Sequence, residues 1–220
     1  MSAPAIRLAV FDCDGTLVDG QADICAAMEA AFAATGLGVP DRGAVRRVVG
    51  LSLPIAIRHL VPGADPDLCH AASEAYKQAF RAMRAEGRLA EPLFPGITPL
   101  LDRLGGSGWS LGVATGKSDR GLHSVLAVHG LSDRFVTLQT ADRHPSKPHP
   151  AMLEAALFEA CALPDDSVMI GDTTYDIAMA VSAGVRAIGV AWGYHAADEL
   201  LAAGAAAVAE TPEELGDLLA

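Results

Sequence analysis

The run Phe11-Asp12-Cys13-Asp14-Gly15-Thr16-Leu17-Val18-Asp19 closes a short apolar stretch and sets two carboxylates two residues apart. Like charges ~4 Å apart repel by about 4 kcal/mol at an effective dielectric of 20. Such a pair at the end of a buried strand therefore calls for a cation or a proton between its members. Either Asp alone could cap a turn, but a pair beside the tight-turning Gly15-Thr16 fits that role poorly. A second acidic site follows another apolar run, Ile170-Gly171-Asp172-Thr173-Thr174-Tyr175-Asp176. Asp172 by itself reads equally as a helix cap or a ligand, and Asp176 lies one helical turn later. If both runs are strands of one parallel sheet, Asp12, Asp14, Asp172 and Asp176 converge at its carboxyl edge, where open sheets of this kind bind ligands. Clustered carboxylates with few basic neighbours suit a hard cation, Mg²⁺ before Ca²⁺ when phosphate is present.

A third apolar run ends in Val113-Ala114-Thr115-Gly116-Lys117-Ser118. Gly-Lys-Ser imitates a P-loop, but G-x-x-x-x-G-K-[ST] requires glycine at position 111, which is Leu111. A hydroxyl, a small residue and backbone N–H groups at a helix start still form an anion site, so Thr115 and Gly116 are expected to hold phosphoryl oxygens. Lys117 is expected on the helix surface. In Ser146-Lys147-Pro148-His149-Pro150 the proline restricts its own φ and its predecessor, which points Lys147 in a defined direction. Beside an acidic, phosphate-binding edge this lysine would neutralise both a carboxylate and a substrate anion; elsewhere it would be a solvated loop lysine.

Other signals have plainer readings. Gly105-Gly106-Ser107-Gly108 precedes a strand and reads as a helix terminator rather than a dinucleotide loop. The spacing of His144 and His149 matches no usual zinc pair. Trp192 is expected in core packing, with the rim of the site as the alternative. Arg46, Arg47, Ser52 and His59 are candidates to touch a leaving group, and Ala75, Ala79 and Phe80 read as ordinary helix packing.

These residues need a scaffold. Short β-branched apolar runs predict strands at Ile6–Phe11, Trp109–Ala114, Phe135–Leu138, Val168–Ile170 and Ala187–Val190, with a strand or helix near Ala205–Val208. Helices are expected at Ile97–Leu104, Arg120–His129, Ala151–Ala160 and Thr174–Ala183. A further helix starts at Thr211-Pro212-Glu213-Glu214, which combines a capping hydroxyl, a first-turn proline and two acids. The alternation predicts an α/β fold, a Rossmann-like parallel sheet with helices on both faces. Between Gly20 and Ala90 no strand is evident and several helical stretches occur. This predicts an all-helical insert after the first strand, with Glu91–Gly96 as return linker. The expected division is a core of residues 1–19 and 91–220 and a helical unit of residues 20–90.

Composition narrows the function classes. Of 220 residues, 16 are Lys or Arg and 27 Asp or Glu, a net charge of −11. That balance argues against nucleic acid and anionic membranes as partners, which need clustered basic side chains. The scattered Cys13, Cys25, Cys69 and Cys161 read as reduced thiols. With no signal-like N-terminus and no apolar run of transmembrane length, a cytoplasmic protein is expected.

The order Asp-x-Asp-Gly-Thr, Thr-Gly after a strand, Lys-Pro, then Gly-Asp-x-x-x-Asp resembles the haloacid dehalogenase-like (HAD) superfamily along essentially the whole chain. The insert looks like its C1-type α-helical cap. Phosphoglycolate phosphatase-like members are the most similar, from which Cys13 and Gly20 are the main departures. The resemblance implies an Mg²⁺-dependent phosphatase acting on a small phosphorylated metabolite, phosphoglycolate being the leading candidate. It implies Asp12 as nucleophile and Asp14 as general acid and base. It further implies Mg²⁺ held by Asp12, the Asp14 carbonyl, Asp172 and Asp176, and phosphate held by Thr115, Gly116 and Lys147. A phosphomutase acting on a sugar phosphate shares every core motif and stays open as an alternative. A receiver-like signalling module fits less well, because its acceptor Asp lies on a middle strand and it carries no large insert. The oligomeric state is not expressed in these motifs.

Overall fold

The computed structural model describes residues 5–220; residues 1–4, part of the stretch read for a leader, lie outside the described residues. Six short runs form strands: β1 (Arg7–Phe11), β2 (Trp109–Thr115), β3 (Thr137–Thr140), β4 (Ser167–Gly171), β5 (Arg186–Val190) and β6 (Ala207–Ala209). All pair in parallel, in the order β3-β2-β1-β4-β5-β6. This is the expected α/β sheet, with the first strand at its centre.

Between β1 and β2 lie α1 (Gln21–Thr35), α2 (Arg42–Arg47), α3 (Leu53–Leu60) and α4 (Pro66–Ala85). Their starts are written in the sequence. Asp41 and Asp65 cap α2 and α4 by accepting the N–H groups of Ala44 and Asp67, and Pro66 occupies the first turn of α4. These helices bury a hydrophobic cluster of their own, including Met28, Phe32, Val45, Ile57 and Ala72.

The remaining helices sandwich the sheet, and β1 shows why. Its side chains alternate: Ala9 and Phe11 enter one core, Leu8 and Val10 the other. The first core is closed by α5 (Ile97–Gly106), α6 (Asp119–Val128) and α10 (Pro212–Leu218). The second is closed by α7 (Ala151–Ala160), α8 (Thr174–Ser182) and α9 (Ala197–Ala202). Truncating a fully buried side chain such as Phe11 would cost about 3–5 kcal/mol. The cap at Thr211 is present, its hydroxyl accepting from Glu214 N–H.

One strand departs from expectation. In place of Phe135–Leu138 the third strand is Thr137–Thr140, paired Gly112↔Thr137 through Thr115↔Thr140. Phe135 packs into the core just before it, and Val136 is exposed. The strand's own residues are polar because a neighbour satisfies them: Thr137 Oγ1 and Gln139 Nε2 both donate to Glu159 Oε2 on α7. Near the C-terminus, the ambiguous alanine-rich stretch resolves into β6.

Candidate active site

Strand register brings the motifs together. Phe11 pairs with Val113 on one side and with Ile170 on the other, so Thr115, Asp12 and Asp172 all sit at the carboxyl ends of three adjacent strands. Asp12 N–H continues the ladder to Ile170 O at 2.9 Å. The chain then turns through Gly15 at φ +86°, where a Cβ would lie 2.1 Å from Asp172 Oδ2. Only glycine combines that conformation with that approach.

Asp12, Asp172 and Asp176 are fully buried, and each offers a carboxylate oxygen within 4.8 Å of the others. Asp172 is held by Thr16 Oγ1 at 2.8 Å and by Tyr194 N–H at 3.0 Å. Asp176 completes a capping box with Thr173, whose N–H and hydroxyl both donate to Oδ2. Its Oδ1 accepts from Lys147 Nζ at 2.6 Å. The same Nζ lies 2.8 Å from Asp12 Oδ1. Apart from that charge contact, neither Asp12 oxygen has a hydrogen-bond partner among the described residues.

Three carboxylates against one ammonium leave the cluster short of positive charge. Burial pushes the Asp12 carboxyl up to about 7, against the lowering influence of Lys147. Burial also raises Asp172 far above the usual carboxylate range, and the charges of Asp12 and Asp176 add to it. For Lys147 burial works the other way, but Asp12 and Asp176 outweigh it and hold the ammonium above its ordinary value. An all-oxygen set with an unpartnered carboxylate at its centre fits a hard divalent cation.

Asp14 occupies a separate corner. Its Oδ1 lies 2.9 Å from Lys117 Nζ, which also meets Glu91 Oε1 at 2.6 Å. Lys117 is therefore not on a helix surface: its side chain is 10% exposed. The helix runs Asp119–Val128, with Ser118 as its cap, the hydroxyl oxygen accepting from Gly121 N–H. Lys117 precedes it, in the turn above the sheet edge. Burial raises the Asp14 carboxyl, and Lys117 opposes the rise.

Asp12, Asp14, Thr115 and Gly116 all face one cavity of about 450 Å³, roofed by the α1–α4 helices. The roof sits close. A Cβ on Gly116 would lie 2.6 Å from Gly50 O and 2.7 Å from Leu51 O, and Ser52 N–H donates to Ser146 Oγ at 2.8 Å. Tyr175 and His195 both reach the Arg47 carbonyl, while the Arg47 guanidinium meets Glu199 at 2.6 Å. Arg47 thus joins roof to sheet rather than facing the cavity. Of the four candidate leaving-group residues only Ser52 lines the cavity; Arg46 and His59 are exposed elsewhere. His144 bonds Gln139, and His149 accepts from Ala151 N–H, so neither stands in a metal cluster. Trp192 packs on the core as expected and donates to Thr16 O.

Thr16, Lys117, Glu91 and Tyr194 escaped the sequence reading. Thr173-x-x-Asp176 carries a legible capping-box spacing. The others are ordinary residue types whose partners lie far along the chain, and no local pattern marks them.

A family model described as haloacid dehalogenase-like hydrolase matches residues 9–190, and the chain belongs to that family. It is similar to a probable phosphatase, IndB, of Dickeya dadantii, at 36% identity over 94% of this chain and 91% of that protein. It is also 28% identical to a phosphoglycolate phosphatase of Vibrio vulnificus, covering 100% of this chain and 98% of that one. Among solved structures, a predicted phosphatase from Clostridium acetobutylicum superposes with a TM-score of 0.88 at 25% identity, over 98% of this chain and 99% of that one. No helix among the described residues is long and apolar enough to cross a membrane.

Proposed function

We propose that the protein is a phosphatase that hydrolyses a small phosphate monoester through an aspartyl-phosphate on Asp12. The observation that carries this reading is a buried carboxylate without a hydrogen-bond partner, set beside Lys147 and open to a closed-roofed cavity. In the first step an Asp12 oxygen forms a bond to phosphorus as the bond to the leaving oxygen breaks, and Asp14 gives that oxygen a proton. In the second, Asp14 takes a proton from water, the water oxygen bonds phosphorus, and the aspartyl bond breaks to release phosphate. Thr115 and Gly116 orient the phosphoryl oxygens, and Lys147 offsets charge on both Asp12 and phosphate.

Asp12, Asp172, Asp176 and the Asp14 carbonyl would hold Mg²⁺, which when bound neutralises charge on the phosphoryl oxygens. The fit rests on the orphaned Asp12 oxygens and the oxygen-only donor set. Asp176 is the least free of the three, since it accepts from Lys147 Nζ and twice from Thr173, against one bond on each oxygen of Asp172.

The division into a core of residues 1–19 and 91–220 and a cap of residues 20–90 belongs to this reading. The separate hydrophobic cluster of α1–α4 supports it, as does the pairing of the two connecting strands through Asp19 N–H and Pro92 O. The cap would exclude water during transfer. Phosphoglycolate, named for relatives such as that of Vibrio vulnificus, is the first ester to assay. Four thiols that all stand free agree with a cytoplasmic location.

The deciding experiment is Asp12→Asn. The variant should fold, retain its circular dichroism spectrum and lose turnover of 4-nitrophenyl phosphate with Mg²⁺. Undiminished turnover removes Asp12 from the mechanism. Isomerised sugar phosphate in place of free phosphate, from a sugar 1-phosphate, would redirect the reading to a mutase.

A further inference from the structure

The cavity above Asp12 is far from a generic anion pocket. Ile24 and Met28 of α1, Val49 and Leu51 of the turn after α2, and Tyr76 and Phe80 of α4 make one wall of it. The two aromatic rings sit one turn apart on α4, with centroids 5.1 Å apart. One further turn along the same stripe is Arg84, with Arg81 beside it, and Arg120 of α6 comes from the sheet side.

These three arginines line one cavity without a carboxylate partner of their own among the described residues. In a chain of net charge −11, none of them has a carboxylate partner among the described ion pairs. Lys77, on the same helix, is paired with Glu74, and the one acid at this rim, Asp142, accepts from Asp119 N–H instead. Arg84 Nε is buried and has no acceptor among the described residues. A buried donor without an acceptor is destabilising, and a ligand acceptor would relieve it. Guanidinium groups also match carboxylate and phosphate with paired N–H donors.

Size points the same way. Pockets of roughly 300–1,000 Å³ enclose molecules of drug-like size, and this one measures about 450 Å³. A two-carbon acid would leave the aromatic wall and most of the volume to water.

Resting on the phosphatase reading above, we infer that the substrate is a phosphate monoester whose organic part joins an extended apolar or aromatic body to a second anionic group. The phosphate lies on Asp12, the body lies against Tyr76, Phe80 and their aliphatic neighbours, and the second anion meets Arg84, Arg81 and Arg120. Phosphoglycolate has the second anion but no body.

The test uses 4-carboxyphenyl phosphate and 4-(2-carboxyethyl)phenyl phosphate, each beside its primary amide, together with phosphoglycolate and 4-nitrophenyl phosphate. For at least one length the acid should exceed its amide and phosphoglycolate by tenfold or more in kcat/KM. The 4-carbamoyl phenol is the better leaving group, so a preference for the 4-carboxy ester cannot come from leaving ability. In Arg84→Gln, and in Arg120→Gln as a second variant on the other side of the cavity, the acid-to-amide ratio should fall toward one. That ratio compares two esters in one enzyme preparation, so partial misfolding does not move it. A higher kcat/KM for phosphoglycolate than for either aryl acid, or an acid-to-amide ratio near one in the unmodified protein, overturns the inference and leaves phosphatase activity standing. No turnover of 4-nitrophenyl phosphate takes down the phosphatase reading and this inference with it.

Discussion

Lys147 Nζ stands between Asp12 and Asp176, 2.8 Å from one carboxylate and 2.6 Å from the other, with no part of its side chain exposed. The lysine comes from the loop before α7, Asp12 directly follows β1, and Asp176 lies in the first turn of α8 after β4. One ammonium is therefore shared by two anions that would otherwise repel each other in a dry site. Removing one partner of a buried ion pair costs about 3–5 kcal/mol, because the remaining charge is left uncompensated. Lys147→Met should lose about that much stability in urea unfolding of the metal-stripped protein, and less of it when Mg²⁺ is present. Loss of a donor to the transferring phosphoryl group should lower kcat by about 10²–10³. Equal destabilisation with and without the ion would mean that metal and lysine do not share the cluster.

A second prediction concerns pH and metal. The folded-state carboxyl of Asp12 is raised to about 7 from an unfolded value of 3.8. The folded protein thus binds more protons than the unfolded chain between these values, and this contribution to stability is full below pH 4 and fades as pH rises through 7. Asp172 is displaced in the same direction. With EDTA, the melting temperature should fall between pH 5 and pH 7.5 relative to Asp12→Asn, in which this titration is absent. Mg²⁺ at 100 times its dissociation constant contributes about 2.7 kcal/mol, or about 5–10 °C for a chain of this size. The gain should be larger at pH 7.5 than at pH 5, since protons compete for the same oxygens. Differential scanning calorimetry reads both effects.

Lys117 gives a third. Its ammonium lowers the Asp14 carboxyl against the effect of burial, so replacing it with methionine leaves Asp14 and Glu91 facing each other without a counter-charge. The Asp14 carboxyl then moves further up. In Lys117→Met the ascending limb of the kcat profile, which reports ionised Asp14 acting on water, should shift to higher pH. A limb at its original position would show that Asp14 does not set it.

The fourth tests the closeness of the roof. At Gly116 a methyl group would press on the carbonyl oxygens of Gly50 and Leu51, which are backbone and have little freedom to retreat. Gly116→Ala should therefore keep its core intact but hold the helical layer off the sheet. The expected result is a drop of at least tenfold in kcat/KM, with faster hydrogen exchange confined to α2 and α3. A normal rate with normal exchange would show that the loop yields more easily than its carbonyls imply.

The sequence by itself settled a good deal. Strand-to-helix alternation, alternating side chains on β1 and the position of each acidic or hydroxyl residue at a strand end are local features. Local features survive in one dimension because backbone geometry fixes their period and direction. From them followed the parallel sheet, the helical insert and the convergence of Asp12, Asp14, Asp172, Asp176 and Thr115 on one edge; for Lys147 they left a solvated loop position open, and the family resemblance brought it there. The third strand was misplaced because its polar side chains are satisfied by Glu159, a partner no sequence window contains. Lys117 was misjudged for the same reason: whether a lysine is solvated or buried depends on what surrounds it, here Asp14 and Glu91. The apolar wall and unpaired arginines of the cavity likewise exist only once α1–α4 fold over the sheet. Long side chains reach several ångströms in many directions, and only the closed tertiary structure, through packing and charge, selects the one they take.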